Sequence, residues 1–213
     1  SEFFLKPAYR KACREMNDSK QFAEERREEL YAVILSLAER GELFWASGGS
    51  SVDEIETENI VGATCLAMKR ALDEVSATSK GLWLPEPKSA DDLFSDSDAP
   101  PDEKNWVVRV DGRPMKRLPY EHEGLVKGDT ISLAIAMGSL IAKVTRDRIM
   151  RELSEEFPPY DFGSNKGYGS PNHLKALKKF GPIHHHRPRF LRNLLPGANE
   201  PKQDDSQSQL SFG

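Results

Sequence analysis

The sequence predicts an α/β protein, and three observations support this fold class. Long stretches carry apolar residues at the 3.6-residue period of an amphipathic helix. Shorter apolar stretches of strand length separate them, the clearest at residues 106–110. This strand runs directly into Asp111 and Gly112. Ligand sites favour the C-terminal edge of strands in α/β sheets, so the fold class and the position of Asp111 point to a site there.

The amino-terminal half predicts three helices and one short strand. Residues 23–40 show the apolar period of an amphipathic helix, and residues 43–46 are a strand candidate. Ser51 and Glu54 have the spacing of a capping box, which predicts the start of a short helix. Residues 59–75 then predict a second amphipathic helix. The helices expose one polar face each, as helices that pack on a core do.

The carboxyl-terminal half predicts one more strand and two helices. Residues 124–126 are a strand candidate, and residues 171–180 predict a helix with Ser170 at its N-cap. Between them lies a long helix with many small residues, which favour close packing against a sheet. Its predicted buried face consists of Ile131, Ala134, Ile135, Gly138, Ile141, Ala142 and Thr145.

Length and composition predict one main domain at residues 1–195. The chain has 213 residues, of which 38% are hydrophobic and 30% are charged. Residues 76–104 contain four prolines and clustered aspartates, which predicts an acidic insertion or loop, and the polar residues 196–213 predict a disordered tail. No apolar run approaches the ~20 residues that span a bilayer, and no secretory signal is recognisable. We therefore expect a cytoplasmic protein without membrane contact, whose cysteines Cys13 and Cys65 are reduced thiols.

The charges are distributed unevenly along the chain. The net charge is −4, but acid concentrates at residues 91–103 and 204–205. Residues 166–192 contain seven lysines and arginines and no acid. Local charge decides binding to a phosphate backbone, so this basic segment is compatible with a nucleic-acid surface.

Three aspartates are candidate site residues, each with an alternative structural role. Asp111 can bind a divalent cation or satisfy its own turn backbone. Asp129 can do the same or cap the following helix. Asp147 lies eighteen residues after Asp129, about 27 Å away along one straight helix, so both touch one metal only if the helix begins well after Asp129. Asp147 is therefore predicted as a supporting acid, or as the ion-pair partner of Lys143 four residues earlier.

Four motifs together resemble bacterial ribonuclease HII. They are Asp-Gly at 111–112, Lys-Gly-Asp at 127–129, Lys-Val-Thr-Arg-Asp at 143–147 and Lys-Gly-Tyr-Gly at 166–169. The resemblance covers most of residues 17–195. It implies a ribonuclease H-like mixed sheet flanked by helices, with a C-terminal helical extension. It also implies an endonuclease that hydrolyses the phosphodiester 5′ to ribonucleotides in RNA–DNA hybrids or embedded in duplex DNA, leaving a 3′-hydroxyl.

The resemblance assigns roles to individual residues. It implies that Asp111 and Asp129 bind Mg²⁺ or Mn²⁺ in a two-metal-ion reaction, with Asp147 as a further catalytic acid. Tyr168 would stack on the sugar that follows the ribonucleotide. The substrate-binding residues implied are Asn17, Ser19, Lys20, Lys166, Tyr168 and Arg187. Without the resemblance, each has an ordinary role, such as a helix start at Asn17 or a loop anchor at Tyr168.

The chain departs from the family pattern at its amino terminus. The family opens with a strand that carries an Asp-Glu pair and a Gly-Arg-Gly turn, and neither motif precedes the Asn-Asp-Ser-Lys turn at 17–20. We therefore expect a sequence that lacks the first strands and two acidic ligands, with little or no activity as it stands. The alternative is a catalytically dead homologue that binds nucleic acid through residues 166–192.

The last residues suggest a protein partner. Gln207, Leu210 and Phe212 form a Gln-x-x-Leu-x-Phe pattern, which resembles peptides that dock into the replication sliding clamp. A third alternative follows, in which the chain is a helical interaction module that acts through this tail. In every case we expect a monomer.

Overall fold

The computed structural model describes Met16, residues 23–79 and residues 107–192. These parts consist of helices and a two-stranded parallel sheet, which confirms an α/β chain. They divide into two compact units. The first holds the described residues up to Gly48 and Cys65–Ala142, and the second holds Gly49–Thr64 and the residues from Lys143 onward. Outside the described residues lie Asn17, Ser19, Lys20, residues 80–106, Gln207, Leu210 and Phe212.

Helix α1 (Glu24–Glu39) agrees with the predicted helix at 23–40. Two acids in its first turn suit the positive end of the helix dipole. One face buries Leu30, Tyr31, Ile34 and Leu37 in the first unit. Gly41, two residues after the helix, has a φ of +68°, in the left-handed region that glycine adopts without strain.

Helix α2 (Val52–Thr78) is bent at Asn59, where the sequence predicted a second helix to begin. The predicted capping box is present at its start: Ser51 Oγ accepts from Glu54 N–H at 3.1 Å, and Glu54 Oε2 accepts from Ser51 N–H at 2.8 Å. Asn59 has a φ of +58°, and its side-chain oxygen accepts from the N–H groups of Val61 and Gly62. Asn59 therefore caps a second helical segment inside the same helix.

The predicted strand at residues 43–46 is wrong. Residues 43–50 have no regular secondary structure. Trp45 lies edge-on to Tyr31, with ring centroids 6.0 Å apart. A Cβ on Gly48 would lie 2.0 Å from the carbonyl oxygen of Ala67, so the segment packs closely on helix α2. The apolar pattern therefore reflects contacts with helices and not pairing in a sheet.

The sheet consists of β1 (Val108–Asp111) and β2 (His122–Leu125), which run parallel with Asp111 opposite Leu125. Both strands fall where the sequence predicted strands, within two residues. Val108 and Val110 are buried and alternate with exposed residues. They pack in the first unit with Cys65, Leu118 and Tyr120. The strands are joined by residues 112–121 without a helix, which is short for a parallel connection.

Two helices follow the sheet, α3 (Gly128–Ile131) and α4 (Leu133–Glu156), separated by the extended residue Ser132. The buried face predicted for the long helix is correct at Ile141 and wrong at most other positions. Ile131, Ala134, Gly138 and Ala142 are exposed, whereas the buried positions are Ala136, Met137, Leu140, Ile141, Val144, Asp147, Met150 and Leu153. The prediction counted from Ile131, which lies before the break at Ser132 and therefore does not share the phase of α4.

The second unit ends in a 3₁₀ helix (Pro158–Tyr160) and helices α5 (Phe162–Asn165), α6 (Pro171–Phe180) and α7 (Pro188–Leu191). Ser170 caps α6 as predicted and accepts from the N–H of His173 at 3.2 Å. The apolar core of this unit includes Met150, Leu153, Tyr160, Phe162, Ala176, Leu177 and Leu191. No helix in the described parts is long and apolar enough to cross a membrane.

Candidate active-site acids and nucleic-acid contacts

Asp111 is the last residue of β1, and its carboxylate is held by the chain that follows β2. Its Oδ1 atom accepts a 2.8 Å hydrogen bond from the backbone N–H of Gly128, the first residue of α3. Gly112 has a φ of +91°, and its N–H donates to the carbonyl oxygen of Leu125 at 2.8 Å. The Asp111 side chain is exposed. The end of the strand therefore presents a carboxylate whose direction is fixed by one backbone donor.

Asp129 follows Gly128 directly and is half-buried in the first turn of α3. Lys127 before it adopts the left-handed conformation, with φ of +57°, and accepts from Thr130 Oγ1 through its carbonyl oxygen. The Lys-Gly-Asp turn thus begins a four-residue helix beside the end of β1. The N–H of Gly128 donates to the Asp111 carboxylate. Asp129 is the next residue in the chain, so its backbone lies close to that carboxylate.

The two carboxylates suit a divalent cation in chemical type. Mg²⁺ and Mn²⁺ prefer oxygen ligands, and a Mg²⁺ site often uses one or two carboxylates with water and substrate phosphates. In residues 23–79 and 107–192, no group of three or more His, Cys, Asp or Glu side chains is arranged to hold a metal ion. Asp111 and Asp129 could therefore supply two carboxylate ligands, and water and substrate phosphates would supply the others.

Asp147 lies on α4 in the second unit and forms the predicted ion pair. Its carboxylate is 3% exposed and lies 2.6 Å from Nζ of Lys143, whose side chain is 39% exposed. Buried carboxylates need such partners, because an unpaired charge away from water is strongly unfavourable. The break at Ser132 also means that Asp129 and Asp147 are not on one straight helix. The ion-pair alternative is confirmed, while a supporting role for Asp147 in catalysis stays a prediction.

Tyr168 stands on a loop whose backbone is firmly held. The ring is 76% exposed. Asn165 is buried, and its side chain accepts from Gly167 N–H at 2.8 Å and donates to the carbonyl oxygen of Tyr160 at 2.7 Å. Arg146 donates to the carbonyl oxygen of Lys166 at 3.0 Å. The loop is therefore fixed while the aromatic ring is free to contact a ligand.

The basic segment is largely exposed in the second unit. Lys175, Lys178, Lys179, Arg189 and Arg192 are exposed, whereas Lys166 and Arg187 are half-buried. Two cations lie over exposed rings: Lys179 Nζ is 4.9 Å from the ring centre of Phe180, and the guanidinium of Arg187 is 5.5 Å from that of Phe190. Arg189 pairs with Glu56 at 3.3 Å. Cations beside exposed aromatic rings suit contact with nucleic acid.

His186, which follows α6, packs against residues of the core of the second unit. The ring of His186 lies 5.0 Å from that of Tyr160 and 5.2 Å from that of His173. Burial and the neighbouring histidines lower the pKa of His186 to about 4, which keeps the ring neutral at physiological pH. His186 therefore packs as a neutral ring against Tyr160 and His173.

Sequence reasoning missed Asn165 and Arg146, which hold the Tyr168 loop. Asn165 lies between two glycine-containing turns, a position where the side chain often binds nearby backbone. That signal was present in the sequence. Arg146 offered no comparable signal, because its acceptor is twenty residues away.

Comparisons with known proteins find related chains. Residues 107–193 match the family model of Ribonuclease HII. The Ribonuclease HII of Caldanaerobacter subterraneus subsp. tengcongensis is 38% identical over 183 residues, which cover 86% of this chain and 64% of that protein. The Ribonuclease HII of Fusobacterium nucleatum subsp. nucleatum is 37% identical over 194 residues, or 90% and 78% of the two chains. That of Ehrlichia canis is 37% identical over 185 residues, or 87% and 73%.

This chain belongs to the ribonuclease HII family. Its match spans slightly under two thirds of the length of the Caldanaerobacter relative.

Proposed function

We propose that the protein acts as an endoribonuclease on RNA–DNA hybrids and on ribonucleotides embedded in duplex DNA. Cleavage would occur at the phosphodiester 5′ to the ribonucleotide and leave a 3′-hydroxyl. The observation that carries this proposal is the hydrogen bond from the Gly128 N–H to Asp111, which holds the end of β1 against the Lys127–Asp129 turn. Family membership supplies the chemistry, and relatives named ribonuclease HII support the reaction class.

The residues have distinct proposed roles in this reaction. Asp111 and Asp129 would hold Mg²⁺ or Mn²⁺, which supplies an activated water and stabilises the leaving oxygen. The Gly128 N–H keeps the Asp111 carboxylate oriented before any cation binds. Asp147 would act as a positioning acid.

Substrate contacts are proposed for the second unit. The exposed ring of Tyr168 would stack on the sugar after the ribonucleotide, presented by the loop that Asn165 holds. Lys166 and Arg187 would bind backbone phosphates, which carry most of the affinity for nucleic acid. Asn17, Ser19 and Lys20 are also proposed to bind the substrate, and the sequence motif alone supports this role. A sliding clamp contact through Gln207, Leu210 and Phe212 is proposed on the same kind of support.

The test is a cleavage assay on a DNA duplex with one ribonucleotide, beside an all-DNA duplex, in Mg²⁺ or Mn²⁺. Cleavage 5′ to the ribonucleotide alone, lost in Asp111→Asn, supports the proposal. Cleavage of both duplexes, or cleavage that Asp111→Asn retains, contradicts it.

A second candidate function is nucleic-acid binding without catalysis. The acid-free basic segment at 166–192 favours it, since this segment needs no metal to bind phosphates. Tight binding of the ribonucleotide duplex in EDTA, without cleavage in either metal by a folded chain, would favour this candidate over the enzyme.

A further inference from the structure

The loop between the two parallel strands concentrates positive charge next to Asp111. Residues 112–117 contain Arg113, Lys116 and Arg117, all exposed, and no acid. Arg113 is two residues beyond Asp111, so its Cα lies within about 7 Å of the Asp111 Cα. The first unit therefore presents cations at the same sheet edge as its candidate metal ligands.

The backbone of this loop is anchored to strand β2. A Cβ on Gly124 would lie 2.5 Å from both the ring Cδ and the N of Pro114, and 2.8 Å from the carbonyl carbon of Arg113. Glycine at position 124 therefore lets the Arg113–Pro114 backbone lie directly on the strand. Any side chain there would push Arg113 away from its position.

A histidine on β2 holds the middle of the loop. The N–H of Met115 donates to Nε2 of His122 at 2.9 Å, and Nδ1 of His122 lies 2.6 Å from the carbonyl oxygen of Tyr120. A carbonyl only accepts, so Nδ1 carries the proton and Nε2 is the acceptor. The N–H of Leu118, which is 4% exposed, donates to the Met115 carbonyl oxygen at 2.9 Å. The loop is thus ordered before any ligand binds.

A fixed loop with outward cations suits a phosphate backbone. Little backbone entropy is lost on binding, and the guanidinium of Arg113 can bind a phosphate through two parallel hydrogen bonds. By comparison, Arg109 on β1 forms an ion pair with Glu123 at 3.0 Å. Arg113 and Lys116 make no ion pair of this kind within the described parts of the chain.

We propose that residues 112–117 form a contact for the phosphate backbone of the nucleic acid, with Arg113 and Lys116 as the binding residues. This contact rests on the proposed function and extends it, because it lies in the first unit and is separate from the basic segment at 166–192. Its role is to position the strand relative to Asp111.

The experiment measures binding of the full chain to a labelled DNA duplex with one ribonucleotide, in EDTA, from about 50 to 200 mM salt. Each phosphate contact contributes a slope of about −0.9 in log K against log salt, or about 3.5-fold in affinity over this range. Arg113→Ala and Lys116→Ala are each expected to make the slope shallower by about 0.9. Arg109→Ala, which removes the same charge from the neighbouring strand, is expected to leave the slope unchanged.

The outcomes separate this contact from the proposed function. Unchanged slopes in both Arg113→Ala and Lys116→Ala overturn the contact, and so does an equal loss in Arg109→Ala, which would indicate a general charge effect. Absence of binding by the unchanged, folded chain overturns the proposed function and the contact with it. Gly124→Ala moves the loop without changing any charge and is expected to weaken binding as well. If that variant does not fold, the result for Arg113→Ala still decides.

Discussion

The N–H of Gly128 donates a 2.8 Å hydrogen bond to Oδ1 of Asp111, and this contact joins the end of β1 to the start of α3. Gly128 is buried, and a Cβ there would lie 2.7 Å from Cδ1 of Ile135 and 3.4 Å from Oδ1 of Asp111. The absence of a side chain therefore lets the backbone approach the carboxylate. The backbone that precedes Asp129 therefore contacts the Asp111 carboxylate, although the two aspartates are eighteen residues apart in the sequence.

Asp111→Asn is expected to remove divalent-cation binding without unfolding the chain. The amide oxygen of Asn can still accept from Gly128, so the turn is kept while the charge is lost. At a Mn²⁺ concentration ten times its Kd, binding stabilises the unchanged protein by about 1.4 kcal/mol. This corresponds to a rise in Tm of about 3–6 °C. Thermal melts with and without Mn²⁺ measure it, with Glu123→Gln on β2 as the matched control. A full Mn²⁺ response in Asp111→Asn would rule out this ligand.

Tyr168→Ala is expected to reduce discrimination between a duplex with one ribonucleotide and an all-DNA duplex. Its ring is 76% exposed, so removing it changes folding stability little. A base that stacks on an aromatic ring gains about 1–3 kcal/mol, and a sugar contact of this kind is expected to be smaller. The loss in Tyr168→Ala is expected to be larger for the ribonucleotide duplex, if the ribonucleotide is what places the following sugar against the ring. Tyr168→Phe keeps the stacking ring and is expected to behave as the unchanged protein. Affinities for both duplexes in EDTA measure the ratio. An unchanged ratio in Tyr168→Ala would contradict the proposed role.

Local signals in the sequence predicted the ends of helices well. The Ser51–Glu54 capping box, the Ser170 cap and the i, i+4 pair of Lys143 and Asp147 are all present. Each depends on residues within one helical turn. Such interactions are decided by spacing along the chain, and spacing is visible in a sequence.

Contacts between distant residues were not predictable in the same way. The segment at 43–46 has the apolar pattern of a short strand, but Gly48 packs onto Ala67 of α2 instead. Most of the buried face of α4, apart from Ile141, was assigned wrongly because the break at Ser132 interrupts an otherwise helical pattern. Among the site residues, the sequence indicated Asp111 and Asp129. The hydrogen bond from Gly128 to Asp111 could not be predicted, because it depends on the pairing of β1 with β2.

Gly48→Ala is expected to destabilise the first unit strongly. The added Cβ would lie 2.0 Å from the Ala67 carbonyl oxygen and 2.9 Å from the Ala71 nitrogen, and both atoms belong to a helix backbone that cannot move aside cheaply. Overpacking of this kind costs about 2–3 kcal/mol.

Gly138→Ala is its matched control and is expected to have the opposite sign. Gly138 lies within α4 on an exposed position, with no atom within 4 Å of the added Cβ. Alanine in an open helical position is more stable than glycine by about 0.5–1 kcal/mol. Urea denaturation of both variants measures the two effects. A Gly48→Ala variant as stable as Gly138→Ala would show that residues 43–50 do not pack on α2 as described.

Tyr120→Phe is expected to reduce stability and to change its dependence on pH. The hydroxyl of Tyr120 donates to Oδ1 of Asp73 at 2.5 Å, and Lys69 Nζ lies 2.5 Å from Oδ2 of the same carboxylate. Burial, with the hydrogen bond to Asp73 and its charge, raises the pKa of Tyr120 to about 12. Burial alone would raise the pKa of Asp73, but the hydrogen bonds from Lys69 and Tyr120 and the lysine charge outweigh it, so that pKa is lowered. At about pH 7 the variant should lose about 1 kcal/mol, since Asp73 is partly exposed and water replaces part of the interaction.

The pH dependence of this cluster has a definite sign at each end. The folded-state pKa of Tyr120 is raised above its ordinary value of 10, so its contribution is complete below pH 10 and is lost as pH rises toward 12. The folded-state pKa of Asp73 is lowered from 3.8, so its contribution is complete above that value and is lost as pH falls through the folded-state pKa. Because Tyr120→Phe removes the phenol and one hydrogen bond to the carboxylate, both losses should be smaller in the variant. Free energies of unfolding from urea melts at neutral, acidic and alkaline pH measure this. Equal alkaline losses in both proteins would show that the hydroxyl of Tyr120 does not make this bond in solution.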